Sequence, residues 1–231
     1  MFYKLKKSAK KLSFSSYNFI KDLLYPPVCF YCKTYLSRNA TFCKYCYDAI
    51  TPIVTTTITV TKKYNIKVFA ISAYKDPIRA LILSKGSSDI VASRKLGELI
   101  WELTYLKNAE FDYIVPIALH WQRYASRGFN QAHEMANSIA KKSGKPVVSL
   151  LIRKKKTRRQ SELVPSQRAV NVSDAFVLSD LALKNKKAYK NKKFLIIDDL
   201  LTTGSTMKSA ARVLLQLQPK EIVAAVASRV I

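Results

Sequence analysis

An apolar run followed by two acids and a hydroxyl-rich turn, residues 194–206, constrains this chain more than any other feature. No polar residue interrupts Phe194–Ile197, which is typical of a strand buried on both faces of a parallel sheet. Asp198 and Asp199 follow at the carboxyl end of this strand, where open α/β sheets bind their ligands. The pattern therefore predicts an α/β domain with a ligand site at this strand end.

The turn after the acids has the composition of a phosphate cradle. Its residues are Thr202, Thr203, Gly204, Ser205 and Thr206, and a helix-forming stretch follows from Met207. Glycine lets the backbone approach a ligand closely, and the N–H groups at a helix start attract an anion. The acids cannot serve the same phosphate, but they suit ribose hydroxyls or Mg²⁺ shared with a second phosphate. Together these parts indicate a phosphoribosyl ligand; the alternative is a Ser/Thr-capped helix with two solvated acids.

The same residues resemble the motif with which type I phosphoribosyltransferases bind phosphoribosyl pyrophosphate (PRPP): an apolar strand, two acids and Thr-Thr-Gly-x-Thr. They lack the Gly-Lys-Ser/Thr of a Walker loop and the Gly-x-Gly-x-x-Gly of a dinucleotide turn. The resemblance implies that Asp198 and Asp199 are catalytic residues that hold the ribose and stabilise positive charge, with Mg²⁺ bound beside PRPP. It also implies that residues 202–206 hold the 5-phosphate.

All four cysteines of the chain lie in two pairs, Cys29-x-x-Cys32 and Cys43-x-x-Cys46. Each pair can present two thiolates to one ion, and four thiolates complete the tetrahedral shell of Zn²⁺. Two disulfides would need an oxidising compartment, and a redox pair would not need a second copy. The spacing predicts a structural Cys₄ zinc ribbon over residues 25–52. Its aromatic and basic residues either stack single-stranded bases or supply the core of the ribbon.

Residues 1–24 combine lysines with apolar residues at roughly helical spacing, which predicts a basic amphipathic helix. Such a helix binds anionic lipid or nucleic acid, or packs on its own domain with its lysines in water. The sequence shows neither a signal peptide nor an apolar run of membrane-spanning length. We therefore expect a cytoplasmic protein, with peripheral contact at the inner face of the membrane left open.

The charge of the chain is strongly positive, with 40 Lys and Arg against 15 Asp and Glu among 231 residues. The excess is concentrated in residues 1–50 and 151–193. A formal charge of +25 favours phosphate-rich partners such as nucleic acid, anionic lipid or a polyphosphate substrate. The alternative is a lysine-solvated surface that has no polyanion partner.

A second motif follows a strand predicted at residues 112–117. Residues 116–132 read Pro-x-x-Leu-His-x-x-Arg-x-x-x-Arg-Gly-Phe-Asn-Gln-Ala, which resembles the signature of the competence protein F (ComF) family. That family joins a cysteine zinc ribbon to a type I phosphoribosyltransferase-like domain, and the resemblance covers residues 25–231. It implies a Rossmann-like α/β domain over residues 53–231, a mostly parallel sheet with helices on both faces. It further implies a role in DNA uptake or processing, with uptake proteins as partners.

The chain departs from the family pattern at three loops. Residues 74–77 read Tyr-Lys-Asp-Pro where the family usually has Gly- or Pro-rich turns. Lys33 stands where a glycine commonly follows the first cysteine pair, and Ala118 stands where a second proline is usual. These departures concern loop shapes more than the assignment.

The second motif supplies candidate phosphate ligands. Arg123 and Arg127 are candidates for the diphosphate of PRPP, because a guanidinium can bind phosphate through two hydrogen bonds. Ordinary surface arginines are the alternative. His120 is either a general acid/base or phosphate donor, or else a packed or capping histidine.

Residues 153–159 hold six cations in seven positions, and the polar stretch that continues to Asp174 predicts a mobile loop. In the type I family a flexible loop at this place in the order closes over the ligand, which excludes water and brings cations to the leaving pyrophosphate. The alternative is a loop that holds a nucleic-acid backbone, and both uses can share it. The residues predicted to bind single-stranded DNA are Lys154, Lys155, Lys156, Arg158 and Arg159.

Two functions fit the sequence. The first is a phosphoribosyltransferase in which a nitrogen nucleophile replaces the pyrophosphate of Mg²⁺-PRPP. The second is a non-catalytic module of natural transformation that binds single-stranded nucleic acid and keeps the PRPP site as a sensor or phosphate grip. The acid pair favours the first, because carboxylates would repel DNA phosphates, whereas the total charge favours the second.

Overall fold

The computed structural model describes residues 26–37, 40–53, 55–84, 90–154 and 175–230. The helix predicted over residues 1–24 and most of the predicted basic loop lie outside these ranges. The chain divides into two compact units between Ala49 and Ile50. Within the described ranges, no helix has both the length and the apolar character needed to cross a membrane.

The second unit is built on a five-stranded sheet. The strands of this unit are β1 (Thr56–Thr61), β2 (Tyr64–Ala73), β3 (Tyr113–Pro116), β4 (Leu151–Arg153), β5 (Phe176–Leu178), β6 (Lys193–Leu201) and β7 (Glu221–Arg229). The sheet has the order β1-β2-β7-β6-β3, with only β1 antiparallel to its neighbour, while β4 and β5 form a separate antiparallel pair. The mostly parallel sheet predicted from the sequence is therefore confirmed.

The described part of the first unit contains the helix α1 (Lys44–Asp48). In the second unit, helices cover both faces of the sheet. They are α2 (Ile78–Ser84), α3 (Ile90–Leu103), α4 (Trp121–Arg127), α5 (Gln131–Ser143), α6 (Asp180–Lys184), α7 (Lys186–Tyr189) and α8 (Ser205–Leu214). α3 and α5 pack against each other over one face, so closely that a Cβ on Gly97 would lie 2.5 Å from the Met135 carbonyl oxygen. α8 lies on the other face, in contact with β1, β5 and β6.

The central strand is longer than its apolar run. Phe194–Ile197 are fully buried, as predicted, but β6 continues to Leu201 and pairs with β7 over that length. Both acids therefore lie within the strand rather than after it. α8 begins at Ser205, two residues before the start that its composition indicates, so Ser205 and Thr206 belong to its first turn.

Two local features complete the second unit. The hairpin of β1 and β2 has a turn of only Lys62 and Lys63, because Tyr64 already pairs with Thr61. Helix α3 ends at Leu103, and a 3₁₀ turn (Tyr105–Asn108) follows it. The Thr104 side chain accepts a hydrogen bond from the N–H of Leu106, which favours this tighter turn.

Candidate functional site

A cleft of about 560 Å³ opens at the carboxyl ends of β3 and β6, the sheet edge that the sequence indicates. Because β3 and β6 are hydrogen-bonded neighbours, the two sequence motifs meet here. The predicted site residues that line the cleft are Asp198, Asp199, Thr202, Gly204, Ser205, Thr206, Arg123 and Arg127.

The two acids both reach the cleft although they are adjacent in a strand. The backbone N–H of Asp199 donates to Asp198 Oδ1 at 2.9 Å. Adjacent residues of a regular strand point to opposite faces, yet both of these acids line the cleft. Carboxylate oxygens are the donors that Mg²⁺ prefers, so the pair fits a metal-assisted phosphate ligand.

The turn into α8 lines the cleft at the N-terminus of that helix. Gly204 has φ 74°, and a Cβ there would also lie 3.1 Å from Ile58 Cδ1, so a side chain is disfavoured twice over. Gly204 gives α8 no side-chain cap, which leaves the first turn suited to an anion. Thr203 is absent from the described lining. Its Oγ1 lies 2.8 Å from Ser205 Oγ and accepts a hydrogen bond from the N–H of Ser205.

Helix α4 carries both predicted arginines into the cleft wall. It begins after His120, a buried residue whose Nδ1 accepts a hydrogen bond from the N–H of Gln122 at 3.4 Å. It ends at Arg127, because the next residue, Gly128, adopts the left-handed conformation with φ 78°. His120 therefore acts as a capping residue and is not part of the described lining. Arg123 and Arg127, one turn apart, lie in the lining.

Sequence reasoning missed Gln131, which begins α5 at the cleft. Asn130 anchors this corner, because its side chain donates to the Ile117 carbonyl at 2.9 Å and accepts from the N–H of Ala132 at 3.1 Å. Gln131 is 5% exposed, and its Nε2 has no hydrogen-bond partner among the described residues. A buried donor of this kind fits a polar ligand in the cleft. Its place in the second motif was the only sequence signal.

Sequence reasoning also misplaced Arg153, which it assigned to the mobile loop. Arg153 instead ends strand β4 opposite Phe176, and its guanidinium lies 5.3 Å from the centre of that ring. Burial lowers the pKa of Arg153, as does Arg123, while Asp198 raises it. Arg153 lines the cleft, so three guanidinium groups share it with two carboxylates. The apolar residues before Arg153 were the signal for a strand.

The predicted nucleic-acid loop is described only at its base. Lys154 is exposed, and its N–H donates to the Ala175 carbonyl at 3.0 Å, which extends the β4–β5 pairing by one bond. Lys155, Lys156, Arg158 and Arg159 lie outside the described residues.

The first unit brings the four cysteines together. Their Sγ atoms all lie within 4.8 Å of one another, and those of Cys32 and Cys43 are 3.7 Å apart. Zn–S bonds of about 2.3 Å in a tetrahedral shell would separate the sulfurs by about 3.8 Å. The cluster is therefore compatible with a structural metal site.

The environments of the thiols differ. The Thr34 hydroxyl, 3.2 Å from Cys32 Sγ, lowers the pKa of Cys32 to about 6, whereas burial raises the pKa of Cys46. Lys33, which replaces the usual glycine of the family, adopts the left-handed conformation with φ 65°. Its ammonium donates to the Phe30 carbonyl at 2.9 Å, which secures this less favoured backbone.

The phosphoribosyl transferase domain family matches residues 91–229. Competence protein ComFC of Bacillus subtilis is 34% identical over 103 residues, which cover 45% of this chain and 38% of that protein. Competence protein F of Haemophilus influenzae is 28% identical over 110 residues, which cover 47% and 46%. The chain thus spans less than half the length of these relatives. With the cysteine cluster, these matches confirm the resemblance to the ComF family.

Solved structures that resemble the chain include an adenine phosphoribosyltransferase, 15% identical over 81% of this chain and 98% of that one, with a TM-score of 0.38. Glutamine PRPP amidotransferase from B. subtilis, complexed with ADP and GMP, is 15% identical over 58% of this chain and 25% of that one, with a TM-score of 0.38.

The phosphoribosyl transferase domain family matches residues 91–229, which are more than half of this chain. The chain therefore belongs to the phosphoribosyl transferase domain family.

Proposed function

We propose that the cleft binds Mg²⁺-PRPP and that the protein transfers its phosphoribosyl group to a nitrogen nucleophile. The observation that carries this proposal is the meeting of two carboxylates, a helix N-terminus and three guanidinium groups in one cleft. A site for phosphate alone would be weakened by the carboxylates of Asp198 and Asp199. A ribose that bears a phosphate at one end and a diphosphate at the other uses every one of these groups.

Each group has a role in this reaction. The turn 202–206 holds the 5-phosphate through backbone N–H and hydroxyl groups. Arg123, Arg127 and Arg153 hold the diphosphate, which leaves when the bond from ribose C1 to its oxygen breaks and a bond to the nucleophile's nitrogen forms. Asp198 and Asp199 hold the ribose hydroxyls and stabilise the positive charge that develops on the ring. Mg²⁺, when bound, neutralises charge on the departing diphosphate.

We propose Zn²⁺ as the ion of the cysteine cluster. The four sulfurs leave no position for a water or substrate, so its role is structural.

The charge of the chain and its competence relatives support a second function, the handling of single-stranded DNA in natural transformation. In this proposal Lys154, Lys155, Lys156, Arg158 and Arg159 contact the DNA backbone, and the PRPP cleft acts as a sensor or phosphate grip. The partners would be proteins of the DNA-uptake machinery in the cytoplasm, with residues 1–24 against the anionic inner face of the membrane.

Calorimetry on the full chain tests both functions, with Mg²⁺-PRPP and a short oligo(dT) titrated separately and then together. We expect PRPP binding that requires Mg²⁺ and is independent of oligo(dT). The absence of PRPP binding would overturn the first function. Competition between the two ligands would mean that both use one site.

A charge variant tests the loop as the DNA contact. Replacement of the five loop cations by serine should flatten the dependence of oligo(dT) affinity on salt, because fewer counterions would be released. An unchanged dependence would mean that the DNA lies elsewhere.

A further inference from the structure

A second cavity, of about 580 Å³, lies at the amino ends of β3, β6 and β7, the sheet edge opposite the cleft. Segments that are far apart in the sequence contribute to it, including the end of α3, the loop after α5 and the residues before β6. Its lining contains five lysines: Lys107, Lys145, Lys192, Lys193 and Lys220. Neither of the two sequence motifs reaches this cavity, which we call the lysine cavity.

The lysine cavity is positively charged even after its acids are counted. Its two carboxylates, Glu110 and Asp112, both contact Lys193: Glu110 pairs with the ammonium, and Asp112 accepts from the backbone N–H at 2.9 Å. Five lysines against these two acids give the lining a formal charge of +3. Lys193 and, more weakly, Lys220 lower the pKa of Glu110. In the described part of the chain, none of the other four lysines forms an ion pair.

The basic character extends beyond the lining. Residues 180–190, which precede the lining residue Asn191 and include α6 and α7, contain four more lysines and one acid, Asp180. Lys141 and Lys142 lie in the last turn of α5, close to Lys145 in the sequence, and are exposed. A ligand that crosses the cavity would therefore meet further ammonium groups on two sides.

Two backbone donors at the lysine cavity are already used within the protein. The N–H of Asn191 donates to the Gln218 carbonyl at 2.9 Å, and that of Lys220 donates to the Lys192 carbonyl at 2.9 Å. The cavity offers mainly ammonium groups on flexible stems, unlike the fixed N–H cradle proposed for the cleft. Such point charges suit a flexible chain of phosphates better than one phosphate held in fixed geometry.

An aromatic ring accompanies these charges. Trp101, near the end of α3, lies half-buried in the cavity lining. A positive groove beside an aromatic face is the combination with which proteins hold single strands, because every base can stack on a ring. A duplex keeps its bases stacked inside and would leave the indole unused.

We propose that the lysine cavity binds the phosphodiester backbone of single-stranded nucleic acid, with a base stacked on Trp101. The site is separate from the PRPP cleft and does not depend on it. It gives the proposed DNA function a second contact surface on the described domain. If oligo(dT) binds the protein but not the lysine cavity, the proposed DNA function remains, and the DNA contact lies in the predicted basic loop or in the first unit.

Trp101 allows a direct test in the full chain. The protein has two tryptophans, and Trp121 is exposed and outside the described cleft lining, so Trp121→Phe leaves Trp101 as the only reporter. We expect oligo(dT) to quench the fluorescence of Trp101, and saturating Mg²⁺-PRPP not to prevent it. Oligo(dT) binding without a change in this fluorescence would overturn the proposal.

A charge-matched pair of variants makes the test specific. Lys107→Gln, Lys145→Gln and Lys192→Gln together should weaken oligo(dT) binding about tenfold and lower the slope of log affinity against log salt by about 2, at ~0.7 per lost phosphate contact. The control replaces Lys62, Lys63 and Lys67, which are exposed on the β1–β2 hairpin and outside the described lining of the lysine cavity, by glutamine. If both triple variants lost the same oligo(dT) affinity, the loss would come from net charge alone, and the lysine cavity would not be the binding site. If tripolyphosphate displaced oligo(dT) at the same total phosphate concentration, the cavity would bind short polyphosphates as well as nucleic acid. That result would overturn the assignment of the cavity to single-stranded nucleic acid.

Discussion

The Oδ1 atom of Asp198 accepts a hydrogen bond from the backbone N–H of Asp199 at 2.9 Å. This bond holds the first carboxylate beside the next peptide of β6. Both acids line the cleft, although adjacent strand residues ordinarily point to opposite faces. The two acids can therefore act on one ligand.

The acid pair gives the first prediction. Asp198→Asn together with Asp199→Asn should abolish Mg²⁺-dependent PRPP binding, because asparagine keeps the shape and removes the charge. Oligo(dT) binding should stay unchanged or become tighter, since two negative charges leave a basic protein. Calorimetry measures both affinities, circular dichroism checks the fold, and Asp180→Asn at an exposed position serves as the control. A double variant that binds Mg²⁺-PRPP like the parent would contradict the phosphoribosyl function.

The sequence predicted those parts of the structure that are encoded locally. The buried run 194–197 and the turn that follows it each lie within one short stretch, so composition and spacing were sufficient to predict them, although not the bounds of β6 and α8. Arg153 was missed because its position depends on the pairing of β4 with β5, which joins residues on either side of a long loop. The lysine cavity was missed because its lysines come from separate segments that only the sheet edge brings together.

Arg153 gives the second prediction, with its neighbour as the control. Arg153→Ala should weaken Mg²⁺-PRPP binding by roughly tenfold to a hundredfold, since a hydrogen bond to a charged group contributes about 1.5–3 kcal/mol. Lys154→Ala removes the same charge one residue later, from an exposed side chain outside the described cleft lining, and should change PRPP affinity little. Calorimetry measures the Mg²⁺-PRPP affinity of both variants. Equal effects of the two substitutions would mean that only net charge matters.

Two left-handed glycines separate a role in the site from a role in the fold. Gly204 and Gly144 have φ of 74° and 71°, so alanine at either should lower the free energy of unfolding by about 1–2 kcal/mol. Only Gly204 lies in the turn at the cleft, and its new Cβ would also press on Ile58. Gly204→Ala should therefore weaken PRPP binding, whereas Gly144→Ala should not. Urea denaturation and calorimetry measure the two effects, and a loss of PRPP affinity in both variants would contradict the proposed cradle.

Gly97 tests the packing of one face of the sheet. Gly97→Ala would place a Cβ 2.5 Å from the Met135 carbonyl oxygen and 2.9 Å from the Ser138 Cβ, so α3 and α5 must separate. Overpacking of this kind costs about 1–3 kcal/mol. Gly128→Ala, where a Cβ would meet nothing within 4 Å, should cost only the left-handed conformation. Urea denaturation compares the two, and an unchanged midpoint for Gly97→Ala would contradict the close packing of these helices.

The cysteine cluster gives the last prediction. Protein prepared under reducing conditions should contain one Zn²⁺ per chain, because four sulfurs within 4.8 Å of one another match a single tetrahedral shell. A zinc-selective chelator should first raise hydrogen exchange in residues 26–49, since the described part of this unit has only the short helix α1 as regular secondary structure. Mg²⁺-PRPP affinity should persist after chelation, because every described residue that lines the cleft lies after Ala49. Cys46→Ser should raise hydrogen exchange in the same residues without any chelator. Elemental analysis that finds no metal in fresh, reduced protein would contradict this prediction.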